Sequence, residues 1–495
     1  METFEKPCLI LLYILFLSLL PLKITSSPTT EAAEELVHWK NSLVTLSSSL
    51  DSWSPTNLRN LCTWTGILCN TGGTVTEINL PFSYLNGTLA QFNFTKFPNL
   101  SCFNLSYNLL TGSIPSTIGN LSKIISLDFG FNNFDHSIPS EIGQLSELQC
   151  LNFSNNHLNG TLPYQVSNLQ KLRYLDLKSN YLETPDWSRF LGMPSLTSLS
   201  FYRNSFTYGF PDFITSSPNL TFLDLSENHF TGPIPESLFT NLANLEYLIL
   251  NNNSFGGSLS SKFSKLSKLK DLRLGANNFS GSIPTYIGNL SDLQRIEFFE
   301  NSLGGNIPSS IGQLKKLQRL DFRANRLNST IPPEIGSCTS LTHLFLAQNS
   351  LSGVLPLSMS RLTRITELRI LDNYLAGEIS PYFFSNWTGL TFLELQNNSF
   401  TGKIPPEICQ CTSLFFLYMS NNQLSGPIPA EIGKMKDLTF LDLSGNQLSG
   451  MIPLTIGNLT NLMIVNLQSN LFQGPFPIVP DSLSVLQISH NKFSG

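Results

Sequence analysis

Charged residues are scarce in this chain of 495 residues, since Asp, Glu, Lys and Arg make up 13% of it and the net charge is −5. The sequence also lacks any run of basic residues, which a protein that binds nucleic acid or an anionic membrane surface needs for electrostatic attraction. The HExxH, GxSxG and phosphate-binding-loop phrases of common enzyme sites do not occur, and neither do the kinase signatures. We therefore predict that this segment binds no nucleic acid, catalyses no reaction and carries no cofactor.

Histidine and cysteine are few, with six and eight residues. No two histidines have the spacing of metal ligands, and Cys409 and Cys411 lack the further ligands that a zinc site requires. Aspartates such as Asp128 and Asp224 occupy one position of a repeated phrase, so they belong to a periodic pattern and not to a pair of catalytic carboxylates. The sequence predicts no metal site.

Long apolar runs are rare too, and the one that exists is at the start of the chain. A short charged lead is followed by an apolar run from Cys8 to Leu22 and by small residues at Ser26 and Ser27. This order is typical of a secretory signal peptide, which we assign to residues 1–27. A signal anchor is the alternative, but the run is short for a membrane span and Pro21 interrupts it. The signal peptide predicts passage through the secretory pathway. Because no second apolar segment of spanning length follows, we expect the part of the protein written here to be secreted or luminal.

One phrase is abundant, and it recurs with a period of about 24 residues. Its clearest copy runs from Leu223 to Pro235, and its general form is LxLxxNxLxGxIP. A fixed period in this range indicates a solenoid in which each copy forms one turn. The asparagine of the phrase falls at Asn108, Asn132, Asn156, Asn180, Asn204, Asn228, Asn253, Asn277, Asn301, Asn325, Asn349, Asn373, Asn398, Asn422, Asn446, Asn470 and Asn491.

Each residue type in the phrase has a physical role. The two leucines, such as Leu223 and Leu225, flank one residue and therefore point to the same face of a short strand, which leaves the other face free. The asparagine amide can donate to and accept from backbone groups that no regular structure serves. Glycine allows a turn closed to other residues, and the Ile-Pro pair suits a short edge strand because proline removes a donor.

These roles predict an α/β solenoid: a right-handed superhelix of about 18 repeats over residues 73–495, with one parallel β-sheet on its concave side. The first repeat of a solenoid has no preceding repeat to bury its apolar end, so it needs a cap. Residues from Glu31 to Val44 have helical spacing, with Thr30 as the predicted N-cap, and the loop from Cys62 to Cys69 follows. We assign residues 28–72 to an N-terminal cap.

The phrases Leu50-Asp51-Ser52-Trp53 and CxWxGxxC resemble the N-terminal cap of plant leucine-rich-repeat receptor proteins, and the GxIP repeats are similar to the plant-specific subclass of that family. The resemblance implies a disulfide between Cys62 and Cys69. It also implies the ectodomain of a receptor-like kinase or receptor-like protein, at the cell surface or in the apoplast. Such a domain holds a peptide or protein ligand along its inner face, and a shorter co-receptor kinase docks near its C-terminal repeats.

Two other functions stay open at this point. The repeat is shared with the polygalacturonase-inhibiting proteins, which are soluble inhibitors of microbial wall-degrading hydrolases, although those are shorter and carry a C-terminal cysteine cap that is missing here. A truncated receptor paralogue is the third possibility. The gene sequence downstream of Gly495 distinguishes these alternatives most cheaply.

The free face of the strands changes character along the chain. Small polar residues such as Asn104 and Asn152 give way in the middle repeats to arginines, acids and aromatics. Arginine and aromatic side chains supply large contact area and multidentate hydrogen bonds, which suits a binding groove. The predicted ligand-binding residues are Arg273, Arg295, Glu297, Phe299, Arg319, Asp321, Arg323, His343, Phe345 and Arg369.

Arg319, Asp321 and Arg323 alternate along the chain, so all three are predicted to point into the groove. Guanidinium groups bind carboxylate, sulfate and phosphate in a bidentate manner, which favours a ligand that carries such a group. Two alternatives remain: a merely solvated face with charges of both signs, and a contact surface around Trp187, where the repeats depart from the GxIP phrase.

Asn-x-Ser/Thr sequons are frequent, and most of them lie outside the repeated asparagine position. Such sites accept glycans in the secretory pathway, which agrees with extracellular display. The predicted glycosylation sites are Asn86, Asn93, Asn120, Asn219, Asn289, Asn328, Asn386 and Asn458.

Overall fold

The computed structural model describes residues 28–44 and 47–494. The predicted signal peptide, residues 1–27, lies outside the described residues. The chain divides into two compact units, an N-terminal unit that ends at Asn253 and a C-terminal unit that begins at Ser254. Within the described part of the chain, no helix is both long and apolar enough to span a membrane.

The N-terminal cap combines a helix, a disulfide loop and a small antiparallel pairing. The helix Pro28–Ser42 begins before the predicted cap Thr30, which is therefore wrong as an N-cap, and proline suits this position because its missing N–H has no partner in a first turn. Lys40 Nζ donates to the carbonyls of Leu50 and Trp53 at 2.6 and 2.9 Å, which ties the helix to the loop.

The predicted disulfide between Cys62 and Cys69 is confirmed. It joins the loop to the strand Ile67–Cys69, which pairs antiparallel with Val75–Asn79, the first strand of the repeats. Trp53 and Trp64 stack beneath the loop with ring centroids 5.9 Å apart. The cap thereby covers the apolar end of the first repeat.

The inner strands of the N-terminal unit form a parallel ladder in which equivalent residues of successive repeats are in register. The middle residue of each three-residue strand enters the core, as at Leu127 and Leu223, which are fully buried, and Ile78 does so in the longer first strand. The strands are Val75–Asn79, Cys102–Asn104, Ser126–Asp128, Cys150–Asn152, Tyr174–Asp176, Ser198–Ser200, Phe222–Asp224 and Tyr247–Ile249.

The C-terminal unit repeats this ladder with the same register. Its core is again leucine at the middle strand position, as at Leu320 and Leu417. The inner strands are Asp271–Arg273, Arg295–Glu297, Arg319–Asp321, His343–Phe345, Glu367–Arg369, Phe392–Glu394, Phe416–Tyr418, Phe440–Asp442, Ile464–Asn466 and Val485–Gln487. The predicted leucine-rich-repeat solenoid with a parallel sheet and a disulfide-closed cap is confirmed.

The repeated asparagines bind backbone groups as predicted. Asn228 Nδ2 donates to the carbonyls of Phe201, Leu225 and Ser226 at 2.8 to 3.1 Å, and its Oδ1 accepts from the N–H of Phe206 at 3.1 Å. One side chain thus satisfies groups of its own repeat and of the preceding one, where no strand is available to do so. The same arrangement recurs at Asn349 in the C-terminal unit.

The end of the phrase folds differently from the prediction. Gly232 has φ +76°, the left-handed region that favours glycine, as expected for its turn. The outer strand His229–Gly232 ends at this glycine, so the predicted edge strand over the Ile-Pro pair is wrong. Pro235, with φ −69° and ψ 141°, instead precedes the helix Glu236–Asn241 as its N-cap. Its ring fixes φ near the value that this position requires.

Short helices return the chain to the next inner strand in both units. Most are single 3-10 turns, which close over buried residues such as Ile118 and Ile335. In the N-terminal unit they are Ser48–Leu50, Pro55–Thr63, Phe94–Lys96, Ser116–Asn120, Ser140–Gln144, Tyr164–Asn168, Trp187–Arg189, Asp212–Thr215 and Glu236–Asn241; in the C-terminal unit they are Ser261–Lys265, Thr285–Asn289, Ser309–Gln313, Pro333–Ser337, Leu357–Arg361, Pro381–Phe384, Pro406–Gln410, Ala430–Lys434 and Leu454–Asn458.

In each repeat an outer strand follows the inner strand, and the outer strands pair differently in the two units. In the N-terminal unit the first five form two short, separate sheets, and Thr207–Tyr208 pairs with His229–Gly232; in the C-terminal unit each strand pairs with the next. The strands of the N-terminal unit are Asn86–Gly87, Leu109–Gly112, Asn133–Phe134, Asn159–Thr161, Tyr181–Glu183, Thr207–Tyr208 and His229–Gly232; those of the C-terminal unit are Ser254–Ser258, Asn278–Ser282, Ser302–Gly305, Arg326–Thr330, Ser350–Gly353, Tyr374–Glu378, Ser399–Lys403, Gln423–Gly426, Gln447–Gly450, Leu471–Gly474 and Lys492–Phe493.

Candidate functional site

The side chains of the inner strands that point away from the core form one face of the C-terminal unit, the open face. We use this name for the face formed by the first and third residues of each inner strand and by the residue two further on. In Arg319-Leu320-Asp321 the leucine enters the core and its neighbours take the open face, because side chains alternate along a strand. The parallel register places Arg319 beside Arg295 and His343 on the adjacent strands.

The structure brings all ten predicted binding residues together on this face. Five guanidinium groups lie among carboxylates at short distances. Arg273 binds Asp271 through two hydrogen bonds of 2.9 and 2.7 Å, and Arg369 Nη2 lies 2.9 Å from Glu367 Oε2. We call the following set the charged cluster: Arg273, Arg295, Arg319, Arg323 and Arg369 with Asp271, Glu297, Asp321, Glu367 and Glu394.

Carboxylates balance the arginines more completely than the sequence indicated. Asp271 and Glu394 were not among the predicted site residues, yet Arg295 Nε lies 3.9 Å from Asp271 and Arg369 Nε lies 3.8 Å from Glu394. Burial lowers the pKa of His343, which favours its neutral form. Five positive groups therefore face five carboxylates, which include the predicted Glu297 and Asp321. The register of the repeats could have revealed Asp271, since it occupies the same strand position as Arg295.

Asp321 is the buried centre of the cluster. Its side chain is fully covered, and Arg323 Nη2 and Arg319 Nη2 lie 3.2 and 3.5 Å from its Oδ2. Burial raises the pKa of Asp321 to about 6, although Arg323 and Arg319 oppose the shift. Desolvation therefore disfavours the ionised form of this carboxylate, and the two guanidinium groups offset part of that cost.

Phe345 carries three of the guanidinium groups on its ring. The guanidinium carbons of Arg319, Arg369 and Arg323 lie 4.6, 5.1 and 5.7 Å from the ring centroid. Phe345 is only 3% exposed, so the arginines cover it. Arg323 also lies 5.1 Å from the centroid of Phe299. Cation–π contacts of this kind hold planar guanidinium groups in fixed orientations while their edges stay available.

Three guanidinium groups have a buried Nε without a hydrogen-bond acceptor among the described residues: those of Arg319, Arg323 and Arg369. Arg319 Nε nevertheless lies 2.7 Å from Glu297 Oε1, in an ion pair. A buried donor without an acceptor costs free energy.

The predicted glycosylation sites lie away from the charged cluster. Asn86 is half-buried in the outer strand Asn86–Gly87, and the other predicted sites are exposed. Glycosylation of these residues stays a prediction. The exposed sites are Asn93, Asn120, Asn219, Asn289, Asn328, Asn386 and Asn458.

Trp187, the centre of the alternative contact surface, packs into an aromatic group. Its ring lies 5.0 Å from Phe190, 5.8 Å from Phe206 and 5.7 Å from Phe213, centroid to centroid. The irregular repeats around Trp187 therefore build core, which weakens the case for a contact surface there.

The thiols of the C-terminal unit are inert in their present positions. Cys338, Cys409 and Cys411 are buried, and burial raises their pKa values to about 11, 12 and 12. A protonated thiol is a poor nucleophile and a poor ligand. Within residues 28–44 and 47–494, no group of His, Cys, Asp and Glu is arranged to hold a metal ion.

Comparison with protein families matches the repeats and the cap. A model described as leucine rich repeat matches residues 146–206, 170–230 and 363–424, and one described as leucine rich repeat N-terminal domain matches residues 33–70. A second leucine rich repeat model matches residues 99–121, 244–266, 268–290, 316–338, 340–362 and 437–459.

Curated relatives are plant receptor kinases matched over a short stretch. A probable leucine-rich repeat receptor-like protein kinase of Arabidopsis thaliana is 40% identical over 113 residues, which is 22% of this chain and 10% of that kinase. The MDIS1-interacting receptor like kinase 2 of the same plant is 33% identical over 24% of this chain and 12% of its own length. The aligned stretch thus spans about a tenth of these relatives.

Solved structures match over most of the chain. The plant peptide hormone receptor RGFR1, in complex with RGF2, is 30% identical with a TM-score of 0.72, covering 88% of this chain and 84% of that one. The Arabidopsis receptor kinase HAESA, in complex with the peptide hormone IDA and the co-receptor SERK1, is 29% identical with a TM-score of 0.73, covering 94% and 90%.

Proposed function

Because this chain belongs to the leucine-rich-repeat receptor ectodomains of plants, we propose that it is an extracellular recognition domain that binds a peptide or protein ligand at the charged cluster. The observation that carries the proposal is the set of five arginines and five carboxylates arranged around Phe345. Neither the core nor the backbone requires these side chains, since the asparagine ladder and the leucines already hold the repeat.

The chemistry of the cluster favours a ligand with a carboxylate, sulfate or phosphate group. Such an anion would compete with Glu367 and Glu394 for Arg369, and with Asp321 for Arg323. Exchange of one anion for another keeps each guanidinium group paired, so the desolvation cost of binding stays small. The carboxylates of the cluster are then free to receive a cationic group of the same ligand, which gives specificity for a ligand with both charges.

The cellular setting follows from the same family membership. HAESA is bound to a peptide hormone and a co-receptor in its solved complex. We infer that this chain likewise recognises its ligand at the cell surface or in the apoplast, with a leucine-rich-repeat co-receptor kinase as partner. The predicted glycans belong to that setting.

The test is a double substitution, Arg323→Ala with Arg369→Ala. Peptides selected from a random 12-residue display library on the wild-type protein should bind the double variant at least about tenfold more weakly, because two of the charge contacts at the centre are lost. The matched control is Arg326→Ala with Arg361→Ala, which removes the same charge from exposed positions outside the open face. Equal loss in both variants would mean that only net charge matters, and unchanged binding in the first would place the site elsewhere.

A further inference from the structure

Beyond the charged cluster, the open face of the C-terminal unit becomes aromatic. The first positions of three successive inner strands carry Phe392, Phe416 and Phe440. Their rings stack with centroids 4.5 and 4.7 Å apart and with interplanar angles of 13° and 15°. We call these three residues the phenylalanine ladder. Each ring is half-buried, so part of its apolar surface meets solvent.

The repeat does not require aromatic residues at this position. In the N-terminal unit the same position carries a small residue in some strands, as at Cys102, Ser126 and Ser198, and an aromatic residue in others, as at Tyr174, Phe222 and Tyr247. The core below the ladder is complete without it, because Leu393 and Leu417 occupy the inward positions. Folding therefore does not account for the half-exposed apolar area, and its burial by a partner would stabilise a complex.

Acidic side chains run beside the ladder. The third strand positions next to the three rings are Glu394, Tyr418 and Asp442. The inner strands from Phe392–Glu394 to Ile464–Asn466 contain no lysine or arginine. Asp442 Oδ1 accepts from the N–H and hydroxyl of Ser444 at 3.0 and 2.6 Å, which fixes the carboxylate in place. This part of the open face is therefore apolar on one row, and the next row carries two carboxylates, that of Glu394, which is shared with Arg369, and that of Asp442.

We propose that the phenylalanine ladder binds an apolar segment of the peptide ligand, in extended conformation, whose lysine or arginine pairs with Glu394 or Asp442. This inference rests on the proposed function. It assigns a part of the ligand other than the anionic group that the charged cluster binds. The charge pattern selects the occupant, because an apolar segment with a basic residue satisfies both rows, whereas an acidic one would meet like charge. Alternate side chains of an extended chain lie about 7 Å apart, so residues i and i+2 of the ligand cover the three rings.

The test compares two adjacent phenylalanines with a random 12-residue display library on the full chain. Clones that bind the wild-type protein should bind Phe416→Ser at least about tenfold more weakly. They should bind Phe415→Ser normally, because Phe415 is exposed and lies before the strand, outside the ladder. Selected clones should carry a large apolar residue at i and i+2 with a neighbouring Lys or Arg. Asp442→Asn should reduce recovery of clones that carry that basic residue.

Folding is checked separately from binding. Phe416→Leu keeps an apolar side chain and should retain part of the affinity, and hydrogen-exchange protection of residues 392–442 should match that of the wild-type protein in each variant. A variant that loses this protection is replaced in the comparison by Phe392→Ser.

The outcomes separate the two proposals. Wild-type binding by Phe416→Ser with loss in the Arg323→Ala, Arg369→Ala variant would overturn the ladder inference and leave the proposed function standing. Wild-type binding by both would overturn both. Ladder-dependent capture of a folded leucine-rich-repeat protein alone, with no peptide selected, would also overturn the inference, because the occupant would then be a protein surface.

Discussion

The two units share one repeat and differ in what their inner strands present. In the N-terminal unit the small polar side chains of the strand face bind one another: Asn104 Nδ2 donates to Asn79 Oδ1 at 2.9 Å, and Asn152 Nδ2 donates to Asp128 Oδ1 at 2.9 Å. In the C-terminal unit the same positions carry the charged cluster, where the Nε of Arg323 has no acceptor. Among the described residues, both faces hold buried polar atoms without a hydrogen-bond partner, such as Ser154 Oγ in the N-terminal unit, so the contrast lies in the size and charge of the side chains.

The outer strands differ in the opposite sense. Those of the C-terminal unit pair without interruption, whereas those of the N-terminal unit break where His136 replaces a glycine and again near Trp187. At these breaks the N-terminal unit has a polar surface depression lined by residues such as His157, Tyr181 and Arg203. The inner ladder is regular in both units, so the asparagines and leucines hold the fold and the outer strands tolerate change.

The largest expected effect tests whether the two units have equivalent cores. Leu225→Ala in the N-terminal unit and Leu274→Ala in the C-terminal unit each remove a fully buried side chain. Each should cost about 2 to 5 kcal/mol, from lost burial and from the cavity left behind. Solenoids can unfold in segments, so the measurement is hydrogen exchange of the mutated unit.

The controls for this prediction are exposed leucines, one in each unit. Leu191 and Leu357 are both 56% exposed, so Leu191→Ala and Leu357→Ala should leave protection nearly unchanged. Similar losses at buried and exposed positions would refute the core assignment. A large loss in one unit alone would mean that the units do not have equivalent cores.

The next effect is the pH dependence of stability at one buried aspartate in each unit, and peptide binding by the two variants then distinguishes the two faces. Burial raises the pKa of Asp321 to about 6, above the unfolded value of about 3.9. As pH rises from about 4 to about 6, the unfolded chain releases its proton first, so stability falls across this window and is level above it. The loss is at most about 3 kcal/mol. Asp321→Asn should remove the slope, measured by hydrogen exchange of residues 295–369 at several pH values.

Asp128 in the N-terminal unit is the matched control. Burial raises its pKa to about 6 as well, while Gly130 N–H and Asn152 oppose the shift. Asp128→Asn should therefore also remove a pH slope in its own unit. Only Asp321→Asn removes a carboxylate from arginines, and it should strengthen binding of anionic library peptides. Stability that is independent of pH in the wild-type protein, or peptide binding that is equal in the two variants, would contradict this account.

A smaller effect is expected from the asparagine ladder. Asn228→Ala and Asn349→Ala each leave a backbone N–H and carbonyl groups without their side-chain partner, which should cost about 1 to 3 kcal/mol. The cost should be the same in both units, because the bonds are the same. His229→Ala, at an exposed neighbouring position, is the control. Amide exchange at Phe206 and Leu327, whose N–H groups lose the asparagine oxygen as acceptor, reports the effect directly.

The sequence predicts the repeat well because period, leucines and asparagines act within one turn and its neighbour. It also assigns Arg319, Asp321 and Arg323 to one face, since strand alternation is a local rule. It does not predict that Asp321 is covered by guanidinium groups, because the conformations of long side chains depend on several strands at once. The packing of Trp187 is missed for the same reason, since partners such as Phe206 and Phe213 come from the next repeat.

The smallest expected effect tests whether the coupling energy of an ion pair in the charged cluster depends on the distance between the charges or on their burial. Lys171 and Glu147 in the N-terminal unit lie 2.7 Å apart, with side chains 56% and 45% exposed; Arg319 Nε and Glu297 Oε1 in the cluster are also 2.7 Å apart, with 26% and 12% exposed. In water-exposed pairs, solvent screening and side-chain entropy offset most of the attraction. A double-mutant cycle with Lys171→Ala and Glu147→Ala should therefore give a coupling of about 0.2 to 1 kcal/mol, which about 1 M salt reduces further. The cycle with Arg319→Ala and Glu297→Ala should give a larger coupling that salt reduces less, because the partly buried pair is screened less. Equal couplings with equal salt dependence would mean that the cluster behaves as an ordinary solvated surface, and the contrast between the two faces would then lie in shape alone.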